Sequence, residues 1–130
     1  MKGLWYDFVH KDIPSYAIAA FISVGFAGQA LAHAHLQSAV PAADGAVSTS
    51  PPELDLTFSE GLNLKFSGVK VFGPDKAAVA TGDAKLKPGD NTTLILPVSG
   101  TLAPGAYTVE WHVLSSDGHK TSGSYTFTVK

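Results

Sequence analysis

Tyr107-Thr108-Val109-Glu110-Trp111-His112-Val113 alternates large apolar residues with polar ones without a break. A period of two puts Tyr107, Val109, Trp111 and Val113 on one face and Thr108, Glu110 and His112 on the other, the pattern of a long half-buried strand. Tyr125, Phe127 and Val129 repeat it at the C-terminal end, and Leu54, Leu56 and Phe58 repeat it earlier. Val69 with Val71, Thr92 to Leu96 and Leu36 to Val40 read as further strands, and Ala77 to Ala80 as a weak short one. Turn residues separate them: Pro51-Pro52, Gly73-Pro74-Asp75, Gly89-Asp90-Asn91, Pro97 and Ala103-Pro104-Gly105. No stretch has a helical period. About seven short strands with turns between them predict an all-β, immunoglobulin-like sandwich.

Ahead of the strands lies Ala17 to Ala27, an apolar run shorter than the ~20 residues that cross a bilayer. It reads as the apolar region of a signal peptide, and Ala30-Leu31-Ala32 has the small residues of a cleavage site. The segment before it fits less well, because Lys2 and Lys11 are offset by Asp7 and Asp12 and Pro14 precedes the apolar run. An uncleaved anchor is the alternative, and export follows from either. Residues 1–32 are thus expected to be a leader and residues 33–130 the domain; removing 32 of the 130 residues leaves 98. The expected compartment is the periplasm.

The net charge of −2 gives no electrostatic case for nucleic acid or an acidic membrane surface. There is no cysteine, and the only methionine is Met1. Thiolate sites, disulfides and soft Cu(I)-selecting sulfur sites are excluded from the domain, so any metal site must be built from nitrogen and oxygen.

Cleavage after Ala32 makes His33 the first residue. Its free α-amino group and its imidazole together can close a chelate ring, whereas within a chain His33 offers one nitrogen. Ser115-Ser116-Asp117-Gly118-His119 supplies a second pair. In extended chain Asp117 and His119 point to the same side, and Gly118 lets the backbone bend. A turn after Leu114 is expected to carry them to the end of the sandwich. His33, Asp117 and His119 give three nitrogens and one oxygen, a set that suits one Cu(II) ion in a tetragonal plane.

Over its mature length the chain resembles the CopC family of periplasmic copper-binding proteins. The matching residues are the His33 start, Pro41-Ala42, Gly45, Phe58-Ser59-Glu60, the series Tyr107, Val109, Trp111, Val113, Ser115, Asp117-Gly118-His119, and Gly123, Tyr125, Phe127, Val129. The resemblance implies an immunoglobulin-like or cupredoxin-like Greek-key β-sandwich. It implies a Cu(II) site from the amino group and imidazole of His33 with Asp117 and His119, and it sets Glu60 close by as an outer-shell carboxylate that would orient a ligating imidazole. It also implies a copper transporter of the CopD type in the inner membrane as partner. Some members carry a second, Cu(I) site in a methionine-rich loop. The corresponding stretch here, residues 73–90, has no methionine, so the chain reads as a Cu(II)-only member.

Other readings compete with this one. A free amino terminus with histidine third also chelates Cu(II), through the amine, two deprotonated amides and the His35 imidazole, so His35 is a possible competitor for the metal; its other reading is an exposed strand histidine. His112 reads as a solvent-facing strand residue, and Trp111, Tyr107 and Phe127 as core. Ser115, Ser116 and His119 lack the setting of a hydrolase, since no Gly-x-Ser-x-Gly elbow is present. A copper monooxygenase of the histidine-brace type also begins with a mature histidine, but Asp117 would fill the position that oxygen needs. A metal-free immunoglobulin-like module is the third alternative. The expected role is a carrier or sequestering protein for copper homeostasis, not an enzyme.

Overall fold

The computed structural model describes residues 34–130. The expected leader, its cleavage after Ala32 and His33 itself lie outside the described residues. The strands are β1 (Leu36–Val40), β2 (Ala46–Val47), β3 (Glu53–Phe58), β4 (Gly68–Phe72), β5 (Lys85–Lys87), β6 (Asp90–Pro97), β7 (Gly105–Leu114) and β8 (Lys120–Val129). A single 3₁₀ turn, Leu64–Phe66, is the only helical element among the described residues. No helix among them is long and apolar enough to cross a membrane.

One sheet has the order β1-β3-β6-β5 and the other β2-β8-β7-β4. All pairs are antiparallel except β2 with β8. The chain crosses between sheets after β1, β2, β3, β4 and β6, so neighbours in sequence are rarely neighbours in a sheet. The all-β sandwich read from the alternating strands is the observed architecture.

The alternation decides what is buried. Leu54, Leu56 and Phe58 of β3 and Leu94 and Leu96 of β6 face Val71, Tyr107, Val109, Val113 and Phe127 of the opposite sheet, all nearly inaccessible. Tyr107 lies against Phe127 with ring centroids 5.5 Å apart, and its hydroxyl donates to the Ala103 carbonyl at 2.6 Å. That bond back to the chain just upstream is the corner device of immunoglobulin-like sandwiches. Phe58 meets Trp111 edge to face at 5.1 Å, joining the two sheets near the end where β3 stops.

The strand count differs from expectation in three places. Ala77 to Ala80 is not a strand. The tight turn closed by Gly73 N to Ala77 O returns the chain beside β4 for one bridge, Phe72 with Ala78, before Thr81 bridges to Val98 of the other sheet. β2 and β5 were not anticipated, because two and three residues are too few to show a period. β5 is set by a hairpin through Pro88 and Gly89, whose φ of +76° suits glycine in the third position of a type II turn.

Trp111 lies across Gly123, its cross-strand partner in β8. A methyl group at Gly123 would come within 2.6 Å of the indole. We expect Gly123→Ala to displace the ring and cost about 1–3 kcal/mol, the range for overpacking. Denaturant unfolding checks this; an unchanged midpoint would mean that the indole does not lie on the glycine.

Candidate metal centre

The loop joining β7 to β8 carries Asp117 and His119, as the expected turn after Leu114 requires. Its bend depends on Gly118, whose φ of +93° is a conformation that other residues rarely adopt. Gly118 N donates to the Ser115 carbonyl at 2.9 Å, and Ser115 N donates to the His119 carbonyl at 2.9 Å. The loop is therefore closed on itself. The two side chains meet because of this turn, not because they alternate along an extended strand. Asp117 Oδ1 lies 3.1 Å from His119 Nδ1.

Ser115 organises the pair. It continues the inward row of β7 and is 1% exposed. Its hydroxyl donates to Asp117 Oδ1 and accepts from His119 N at 3.2 Å. The Ser115 hydroxyl first, and then His119, hold the Asp117 carboxyl below the usual carboxylate range. A pKa lowered by folding contributes stability above the unfolded value, and the contribution is lost as pH falls through the folded one. Asp117 and His119 are each about half exposed (48% and 47%), so solvent screens their mutual attraction. With Nδ1–H directed at Asp117, the neutral imidazole carries its lone pair on Nε2, the arrangement that suits a metal-binding histidine.

Two other segments are tied to this loop. Ser116 N donates to the Gly61 carbonyl at 2.8 Å, and Asn63 N donates to the Leu114 carbonyl at 2.8 Å. Glu60, half-buried, directly precedes Gly61. On the other side, Thr121 Oγ1 donates to the Ala34 carbonyl at 3.0 Å, and Ala34 is 1% exposed. His35 is exposed, but its backbone is fixed: its N–H donates to Ser59 Oγ at 2.8 Å and its carbonyl accepts from Ser59 N at 2.9 Å. Three stretches far apart in sequence thus share one end of the sandwich: Ala34–His35, Ser59–Gly61 and Ser115–Thr121.

Among the described residues no three His, Cys, Asp or Glu side chains lie close enough together to hold a metal ion. Asp117 and His119 supply one carboxylate and one imidazole, both hard or borderline donors. His112 is exposed on the outer face of β7, its ring over Gly68 of β4.

Sequence reading missed Ser115 as the organiser, and Ser59 and Thr121 as anchors of the chain before β1. Ser115 did carry a signal: it extends the odd-numbered inward row from Tyr107 to Val113, and a buried hydroxyl must find partners. Ser59 and Thr121 carry none, because their partners are backbone groups many residues away.

A family model described as the CopC domain matches residues 36–130. Protein YobA of Escherichia coli K12 is 45% identical over 115 residues, covering 88% of this chain and 93% of YobA. The crystal structure of CopC from Methylosinus trichosporium OB3b superposes with a TM-score of 0.70 at 36% identity, covering 75% of this chain and 94% of that one. PcoC of Escherichia coli, described as a methionine rich copper resistance protein, superposes at 0.68 with 39% identity, covering 76% and 100%. With nearly the whole described domain matched in sequence and in fold, the chain belongs to the CopC domain family.

Proposed function

We propose that the protein binds one Cu(II) ion in the periplasm and carries or sequesters it for copper homeostasis, without catalysing a reaction. The ligands in this reading are the amino group and imidazole of His33, freed by cleavage after Ala32, with the Asp117 carboxylate and the His119 imidazole. Glu60 serves as an outer-shell carboxylate, and an inner-membrane copper transporter of the CopD type is the partner.

The observation that carries the reading is the bond from Thr121 to the Ala34 carbonyl. It joins the start of the domain to the strand that follows His119. Residue 33 is one peptide unit upstream of Ala34, a Cα step of about 3.8 Å. This supports a shared site for the amino terminus and the Asp117–His119 pair. The absence of cysteine, and of any methionine beyond Met1, supports Cu(II) over Cu(I).

The test is to express the full chain, recover the exported protein, confirm its first residue by mass spectrometry and titrate it with Cu(II). We expect a single nitrogen-rich EPR spectrum. His119→Ala is expected to weaken binding by more than about 100-fold, beyond what loss of an outer-shell partner costs, and His112→Ala to leave it unchanged. Equal affinity in the His119 variant would overturn the site. Oxidised products from an insoluble polysaccharide with ascorbate would overturn the carrier role.

A further inference from the structure

His35 poses a problem for any copper site that begins at His33. An amino-terminal His-Ala-His offers Cu(II) a second, self-contained set of donors: the amine, the amide nitrogens of Ala34 and His35, and the His35 imidazole. That set needs nothing from Asp117 or His119. To use it, the His35 amide must give up its proton to bind metal, and the Ala34 backbone must curl around the ion.

The fold opposes both movements. The His35 amide is engaged as a donor to Ser59 Oγ at 2.8 Å. Ala34 is buried against the core, and its carbonyl is held by Thr121 Oγ1 at 3.0 Å. The return bond from Ser59 N to the His35 carbonyl extends the β1–β3 ladder one step past Leu36 and Phe58. The segment is therefore held extended, with the exposed His35 side chain on the side opposite the buried Ala34.

We infer that Ser59 and Thr121 are specificity-determining positioning residues, which latch the Ala34–His35 backbone and so deny copper the competing chelate through His35. This rests on the copper-site reading given above. Neither residue need touch the metal. Ser59 blocks the amide nitrogen that the competing chelate requires, and Thr121 keeps Ala34 from leaving the core. Each hydrogen bond lost shifts the balance between latched and unlatched chain by about fivefold (about 1 kcal/mol), and the two together by about 25-fold.

The test is the EPR and visible spectrum of the exported protein with equimolar Cu(II). In the wild type, His35→Ala should leave the spectrum unchanged. Ser59→Ala, and more strongly Ser59→Ala with Thr121→Val, should add a second species with its visible band at higher energy, as expected for four nitrogens in a plane. Adding His35→Ala should remove that species, and Ser59→Thr, which keeps the hydroxyl, should suppress it. A merely structural role would lower the melting temperature without creating a species that depends on His35. A wild-type spectrum altered by His35→Ala, or a Ser59/Thr121 double variant with the wild-type spectrum, overturns the latch. These outcomes stand apart from failure of the site itself, in which the wild-type spectrum is indifferent to His119→Ala and the latch falls with it.

Discussion

Adding one residue ahead of His33 is expected to weaken copper binding by more than about 100-fold while leaving the fold intact, since even an outer-shell partner costs 10–100-fold. The added peptide bond turns the amine into an amide, which removes one donor and opens the chelate ring. The sandwich should keep its core, which is built from the inward rows of the two sheets. A competition titration against a chelator, with circular dichroism on both forms, measures the two effects separately. The form beginning at His33 should also lose affinity as pH falls, because protons compete with the metal for the same nitrogen lone pairs. If the extended form binds as tightly as the native one, the amine is not a ligand.

Phe58→Ala should produce the largest loss of stability, about 3–5 kcal/mol, the usual range for removing a buried phenylalanine. Phe58 is 1% exposed, faces Trp111 edge on at 5.1 Å and packs in the seam between the sheets. A domain of this size has about 5–15 kcal/mol in total, so the variant should be only marginally folded. Urea unfolding followed by tryptophan fluorescence reads both the midpoint and the environment of Trp111. A loss below about 1 kcal/mol would contradict the packing described, since truncating an aromatic ring without a cavity penalty means that the site collapses freely. Phe58 directly precedes Ser59, so its loss should also loosen the end of β3 that holds His35.

The sandwich was legible because burial in a β-sheet leaves a period of two. Leu54 to Phe58, Tyr107 to Val113 and Tyr125 to Val129 each write that period plainly, and each buries the predicted face. Ala77 to Ala80 misled because four small apolar residues say nothing about length; the turn at Gly73 leaves room for a single bridge with β4. The two-residue β2 exists only because β8 offers it an edge, as Ala46 and Val47 pair with Thr128 and Val129.

At the site, the sequence alone determined the donor chemistry. It lacks sulfur donors in the domain, and it sets an aspartate and a histidine on either side of a glycine that can adopt positive φ. What it could not determine was how those side chains would be held or what would stand beside them. That Asp117 meets His119 through the buried Ser115 hydroxyl, and that Ala34 is pinned to Thr121 and His35 to Ser59, follows only from the closure of the two sheets. Hydrogen bonds between groups so far apart along the chain leave no local pattern to read. They form only once the core has fixed the strands, and on the inference drawn above they are what would keep His35 from the metal, where the sequence left it open between a competitor and an exposed strand residue.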